Sequence, residues 1–525
     1  MPASLPALPC LPQRSSTSSA DKGHRGLTSQ DTRSGSVSAR VISASLWVFG
    51  SQILTLLLVF VAQRIILSTL DPASNGTLFL ERRLTEVIVG ILADFGMNGI
   101  VVRRVAQHPE RAPQILASAF YVRLALWTLC TLLVGVAGLF SQLALADVML
   151  WAVYMLIASR TALLRYTLET RLRAASDFRL PSLFAVVDAL LFVALIALWK
   201  DSLTPSVVIR AFVLSAIPGF AVLLAIDRRR STSWSKASAT EMRAIIGEAL
   251  PVVAATILIA VHDKIDAFLV ESFSGRANVG ALGATYTTLG PLLAVIPMAV
   301  SYAAMPDVAR LLKSDESRGL DVAVSVMKHL LVISLIVTSA ATVVMPLFVD
   351  VVTKGRYMAS LDLFIWFVWC APFVALLVYA QELSIALGRQ GNLLGIAVAL
   401  VVGTIGFGAA LIPALSALGA VVAKICTSVV GAGVSLVLLR RTLAWRAGAG
   451  LAVQCALLTL LAASASLALA DASSTASTFV PTDTVALIFR VLASTVIVIA
   501  GALAVRLLSL SDVARLGRAL AGVRS

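Results

Sequence analysis

ISASLWVFGSQILTLLLVFVAQRII, residues 42–66, is an apolar run broken only by small or neutral polar side chains and by one charge, Arg64, near its end. It is apolar all round rather than along one stripe, which places such a helix in lipid or deep inside a protein. A helix rises about 1.5 Å per residue and bilayer hydrocarbon is about 30 Å thick, so roughly 20 such residues span it. Similar runs recur near 78–101, 116–140, 143–164, 182–199, 207–226, 246–270, 279–305, 326–349, 361–385, 392–412, 416–439, 447–470 and 484–508. The sequence therefore predicts an all-α integral membrane protein of about fourteen transmembrane helices.

Composition agrees. Of 525 residues, 59% are hydrophobic and 13% charged. A soluble domain has about a quarter of its residues charged, and no single soluble core could hide this much apolar surface. The net charge of +14 reads as membrane orientation rather than as a nucleic-acid surface. Alternate connections hold Arg103, Arg104 and Arg111, then Arg165, Arg171, Arg173 and Arg179, then Arg228, Arg229, Arg230, Lys236 and Arg243. The same set continues with Arg310, Lys313 and Arg318, then Arg389, then Arg440, Arg441 and Arg446, and ends with Arg515, Arg518 and Arg524. The other set holds Lys200, Arg276, Lys354 and Arg356. Lys and Arg are retained in the cytoplasm, so both termini are predicted to be cytoplasmic.

Residues 1–40 are Ser-rich and basic and read as a disordered cytoplasmic tail without a cleavable signal. Residues 41–230 form a first lobe of about six spans, and 244–441 a second of about six. Residues 447–508 supply the last two spans, and 509–525 a second cytoplasmic tail. The halves echo each other: LADFGMNGIVVRRVAQ (Leu92–Gln107) and IPMAVSYAAMPDVARLLKS (Ile296–Ser314) both run from an apolar helix into a basic amphipathic end. The connections, such as 68–77 and 471–483, are too short to fold as catalytic domains. Five cysteines without a CxxC pair and four scattered histidines give no metal or cofactor site. No enzymatic chemistry is expected.

Ionisable groups inside spans carry the functional signal, since each costs roughly 2.5–3.5 kcal/mol at a helix centre. The second span holds Glu81, Arg82, Arg83, Glu86 and Asp94. At about 100° per residue, Arg82, Arg83, Glu86 and Asp94 share roughly a 120° face. Two readings stand at this point: mutually neutralising pairs that hold helices together, or the cationic wall of a hydrated cavity. The seventh span carries His262, Asp263, Lys264 and Asp266 at a similar depth, and Arg64 ends the first. Arg123, Arg160, Lys328, Arg210 and Arg490 lie close enough to the surfaces to snorkel. Lys424 and Asp188 lie deeper, and Glu382 sits near the inner end of the tenth span. Pro251, Pro291, Pro297 and Pro372 permit bends.

The stretch Ser45–Leu126, with Arg64, Asp71-Pro72, Asn75-Gly76, Leu92-Ala93-Asp94-Phe95-Gly96-Met97 and Val102-Arg103-Arg104, resembles the start of bacterial polysaccharide exporters. These are oligosaccharide flippases of the multidrug/oligosaccharidyl-lipid/polysaccharide (MOP) superfamily. His262 to Tyr286, and Ile412-Pro413 followed by Leu418-Gly419-Ala420-Val421, extend the resemblance. The turn Asp71-Pro72-Ala73-Ser74-Asn75-Gly76 departs from the family's Gly-Pro and Tyr-Gly. The resemblance implies two six-helix lobes in a V-shaped, MATE-like arrangement plus two C-terminal helices, in the bacterial cytoplasmic membrane. It further implies a flippase that moves undecaprenyl-pyrophosphate-linked oligosaccharide repeat units for surface polysaccharide biosynthesis, by alternating access. The lipid-linked oligosaccharide and membrane lipids would be its partners, with a polysaccharide polymerase and glycosyltransferases alongside. Arginine forks suit phosphate oxygens, which makes Arg64, Arg82, Arg83 and Lys264 the candidate pyrophosphate-binding residues. Glu86, Asp94, Asp263, Asp266 and Glu382 would tune the cavity or bind a coupling ion. The alternatives are a cation-coupled drug or metabolite antiporter of the same superfamily, and a membrane polysaccharide polymerase or ligase. The first would favour an acidic, aromatic cavity; the second, clustered catalytic residues near an exterior loop.

Overall fold

The computed structural model describes residues 28–91, 97–140, 144–158, 163–174, 179–229, 236–387, 389, 391–439, 445–474, 481–505 and 507. Among these, every regular element is a helix. The first half comprises α1 (Thr28–Thr69), α2 (Pro72–Thr85), a π-helical stretch (Glu86–Ile91), α3 (Met97–Gln107), α4 (Ala112–Phe140), α5 (Leu145–Ile157), α6 (Leu164–Ala174), α7 (Arg179–Leu198) and α8 (Pro205–Arg229). The second half comprises α9 (Ala239–Ser274), α10 (Arg276–Ser314), α11 (Glu316–Thr353), α12 (Leu361–Val368), α13 (Ala371–Ala386) and α14 (Gly391–Leu439). Two further helices, α15 (Trp445–Ser474) and α16 (Pro481–Ala504), pack on α11. Helix α1 begins at Thr28 and so reaches into the stretch read as a tail. Residues 1–27 and 508–525 lie outside the described residues.

Eight stretches among the described residues are long and apolar enough to cross a membrane: Gly50–Thr69, Ala112–Val136, Arg179–Leu198, Pro205–Ile226, Glu316–Thr353, Met358–Ala386, Gly391–Leu439 and Ala486–Ala504. The second predicted span is missing from this set because it is split into α2, the π stretch and α3. Helices α9 and α10, over the seventh and eighth predicted spans, are likewise not among the eight. The surface is that of a lipid-embedded protein, with Leu198 at 75%, Phe489 at 72%, Leu460 at 68% and Val402 at 65% exposure.

Local chemistry explains the turns. Asp71 caps α2, its carboxylate accepting from the Ser74 N–H at 2.9 Å, with Pro72 in the first helical turn. Gly275, at φ 80°, is the single residue joining α9 to α10. Helix α14 breaks at Ser416 (φ 53°), three residues after Pro413, and the chain folds back. Gly419 meets Leu411, Thr427 meets Gly403 and Gly431 meets Leu400, so residues 391–415 and 417–439 run as an antiparallel hairpin. This matches the sequence boundary between the spans 392–412 and 416–439.

The two halves touch at both ends. At the end predicted to face outward, α2 packs along α10 so closely that side chains are excluded. A methyl group on Gly280 would lie 1.7 Å from the Pro72 carbonyl oxygen, and one on Gly76 would lie 2.1 Å from that of Arg276. The Asn75 amide donates to the Gly280 carbonyl at 2.8 Å, and Arg356 donates to the Thr69 carbonyl at 3.0 Å. At the opposite end α9 packs against α3 and α4 through charge. Arg104 pairs with Glu241 and, at 2.5 Å, with Glu248; Arg111 reaches Glu241 at 3.7 Å. The Ser238 N–H donates to the Ser118 hydroxyl at 3.1 Å.

Overpacking a tight contact costs about 1–3 kcal/mol. Gly280→Val is therefore expected to lower the thermal unfolding midpoint in detergent. Gly406→Ala, where nothing lies within 4 Å, is expected to leave it unchanged.

Candidate functional site

The site begins with helical spacing. On α2, Glu86 follows Arg82 by four residues and Arg83 by three, which brings all three side chains onto one face. Arg82 Nε donates to Glu86 Oε1 at 2.7 Å, and Arg83 Nη1 lies 3.4 Å from Glu86 Oε2. Glu86 is also where the α-helix gives way to the π stretch; its N–H is shared between the carbonyls of Arg82 and Arg83. Single π turns interrupt helices mostly at functional sites. Aromatic faces flank both guanidinium groups, with Arg83 4.7 Å from the Phe79 ring centre and Arg82 5.9 Å from that of Trp151.

Helix α9 brings a third cation. Its residues 262–266 advance about 100° each and so meet different neighbours. His262 Nδ1 lies 2.5 Å from Thr404 Oγ1 and Asp263 accepts from Lys424 Nζ at 2.9 Å, both on α14. Lys264 Nζ reaches across to Glu86 Oε2 at 2.6 Å, and Asp266 accepts from the Tyr286 hydroxyl on α10 at 2.7 Å. Tyr286 stacks on Phe367 at 4.6 Å and meets Phe79 edge-on. Two arginines from the first half and a lysine from the second thus share one carboxylate. One negative charge against three positive leaves about two positive charges at this corner.

These groups line a cavity of about 240 Å³ between the halves. Its walls include Thr55 and Gln63 of α1, Asp188 of α7, Phe212 and Ser215 of α8, and Tyr286 and Thr287 of α10. Gln63 donates to Thr287 at 2.9 Å and joins the halves within the wall. Asp188 is held by Arg165 at 2.5 Å, and Arg165 is also held by Glu169 at 3.2 Å. Gly219 of α8 leaves room for this pair, since a methyl there would lie 2.7 Å from Asp188 Oδ1. Breaking a buried pair of this kind costs about 3–5 kcal/mol, so Arg165 and Asp188 act as one unit.

Of the predicted site residues, Arg82, Arg83, Lys264 and Glu86 line the cavity together. Asp266 stands behind them through Tyr286. Arg64 is exposed and does not line it; the neighbouring Gln63, one residue and about 100° away, does. Asp263 is half exposed and paired with Lys424, and Glu382 is exposed; neither lines the cavity. Asp94 lies in 92–96, outside the described residues. Two expectations are corrected. Arg123 does not snorkel: it is fully buried and donates to the Leu163 carbonyl at 3.1 Å and to Thr167 at 2.5 Å. Arg165, counted among loop cations, is equally buried. Glu81, completely buried on α2, has neither carboxylate oxygen in a hydrogen bond. Among the described residues no group of His, Cys, Asp and Glu could hold a metal ion.

Comparison with known proteins places the fold. A family model described as "Polysaccharide biosynthesis protein" matches residues 41–312. No curated protein matches. Among solved structures, the fold is similar to the lipid II flippase MurJ in an inward closed conformation, with 11% identity, a TM-score of 0.63, and coverage of 87% of this chain and 98% of that one. It is similar to an inward-facing multidrug resistance MATE family transporter of the MOP superfamily, with 16% identity, a TM-score of 0.56 and coverage of 74% and 95%. A MOP superfamily transporter from Pyrococcus furiosus, described as having a binding pocket of reverse polarity, is similar with 14% identity, a TM-score of 0.54 and coverage of 78% and 96%. At these identities the likeness is one of fold, and the chain is a multi-pass membrane protein with that fold.

Arg104→Gln is expected to loosen the ionic end of the contact between the halves. A cysteine placed there, Ser118→Cys, should react several-fold faster with a membrane-impermeant maleimide in inside-out vesicles when Arg104→Gln is present. Equal rates would show that the ion pairs do not hold that end shut.

Proposed function

The chain belongs to the polysaccharide biosynthesis protein family, and we propose that it moves a saccharide, joined through pyrophosphate to a polyprenyl lipid such as undecaprenol, across the bacterial cytoplasmic membrane. One observation carries this reading: Arg82, Arg83 and Lys264, drawn from both halves, converge on one carboxylate and leave a net positive corner inside the bilayer. A phosphate cannot cross bare hydrocarbon, because taking a carboxylate-sized ion out of water has an idealised cost of order 20 kcal/mol. Guanidinium and ammonium groups in a sheltered cavity replace the lost water with charge-assisted hydrogen bonds. The isoprenoid tail needs no such help and stays in lipid. The likeness of fold to the lipid II flippase MurJ supports the same substrate class. A cavity with net positive charge disfavours the cationic substrates of a drug antiporter.

Size bears on the mechanism. At about 240 Å³ the cavity is smaller than the roughly 300–1,000 Å³ of a drug-sized ligand site. It encloses a phosphate and its immediate surroundings, not a repeat unit of several sugars. Loading and release therefore require the halves to part, at the α3–α4/α9 contact on one side and at the α2/α10 contact on the other. With both termini cytoplasmic, the ionic contact faces the cytoplasm, where the lipid-linked saccharide is assembled.

Removing both arginine charges, Arg82→Gln with Arg83→Gln, is expected to reduce surface polysaccharide by about tenfold or more while membrane protein level stays normal. Arg→Lys at both positions should retain part of the activity, because the charge survives and the fork is lost. Normal surface polysaccharide in the double Gln variant would overturn the assignment.

A further inference from the structure

We propose that Glu86 is an internal stand-in for the substrate's phosphate: it occupies Arg82, Arg83 and Lys264 while the cavity is empty, and yields them when the headgroup arrives. The inference rests on the phosphate-binding reading above and assigns a role to the carboxylate rather than to the cations.

Glu86 already makes the contacts a phosphate would make. Its two oxygens take one donor from each of three cations, at 2.7, 3.4 and 2.6 Å. Carboxylate and phosphate oxygens meet guanidinium forks in the same way. A carboxylate placed only to steady one helix would be satisfied by Arg82 and Arg83, its neighbours one turn away. Lys264 comes from the other half of the molecule and gives Glu86 a second function, that of a tie between the halves. An arriving pyrophosphate, esterified at both ends, carries one negative charge on each phosphate and competes for the same three cations with two charges against the carboxylate's one. Once Lys264 turns to the phosphate, the tie between α2 and α9 runs through the substrate instead of through Glu86, so the contact between the halves depends on occupancy of the site.

The backbone suits a side chain that must leave and return. Glu86 ends α2 and begins the π stretch Glu86–Ile91, so its hydrogen-bond register is already in transition. A carrier also has to let go. Binding must be favourable enough to enter and weak enough to leave, and three clustered cations without a competitor would hold a pyrophosphate too long. A tethered carboxylate, always at hand, lowers the net affinity and recaptures the cations on release.

The full-length protein, purified in detergent, is titrated with farnesyl pyrophosphate by calorimetry. Glu86→Gln is expected to bind about tenfold more tightly than the wild type, the ratio for one charge-assisted hydrogen bond that no longer competes. In cells it should lower surface polysaccharide, because release is slowed. Glu86→Asp, which keeps the charge but withdraws it by one methylene, should tighten binding less and in the same direction; it serves as the test should the Gln variant fail to fold. Unchanged or weaker binding in the folded variants would overturn the stand-in role while leaving the cationic site intact, provided that the Arg82→Gln, Arg83→Gln variant still loses affinity. No binding by the wild type would overturn the site reading, and this inference with it.

Discussion

A charge inside hydrocarbon must find a partner or water, and the rest of this molecule is arranged around that constraint. Glu86 answers it for three cations at once. It sets the rotation of α2, which must turn Arg82, Arg83 and Glu86 to one side, and it sets the meeting of α2 with α9, which must deliver Lys264 to the same point. The neighbouring pairs follow the same logic: Asp263 with Lys424, Asp266 with Tyr286, and Arg165 with Asp188 and Glu169. Around this polar interior the helices present leucine, valine and phenylalanine to lipid. A soluble protein of the same length would reverse the arrangement, because there the apolar groups are the ones that must be hidden.

Much of this was legible in the amino-acid order. Span lengths follow from apolar runs, and the polar face of the second span follows from counting in steps of 100°. The turn at Ser416 was visible as a gap between two runs. The less legible features depend on rotation and depth, which one helix cannot report about itself. Arg64 and Gln63 are adjacent, both polar and both near the end of α1, yet only Gln63 turns inward. Arg123 and Arg165 carry side chains long enough to reach a surface; Glu169, four residues after Arg165, is a partner its own segment offers, but nothing there signals that Asp188, or for Arg123 the Leu163 carbonyl and Thr167, would hold them inside. Asp266 was visible as an ionisable group; that its partner would be a tyrosine on the next helix depends on how α9 and α10 pack.

The π stretch after Glu86 joins local and global behaviour. An ordinary α-helix from Pro72 through Gln107 would fix the azimuth of every side chain relative to every other. A widened turn at Glu86–Ile91 shifts that azimuth partway along; Arg82 and Arg83 lie before it, and Arg104, which meets Glu248, lies after it. One span contributes both to the cavity and, at its end, to the ionic contact.

The two ends of the seam between the halves differ in kind. At one end backbone lies against backbone, with Gly76 and Gly280 leaving no space for a side chain. At the other, Arg104 and Arg111 face Glu241 and Glu248 close to solvent. Dissolved ions weaken the second contact, since at physiological ionic strength the Debye length is about 8 Å, and they scarcely touch the first. The two ends of the seam thus answer to different influences: electrolyte acts on one, and close packing governs the other.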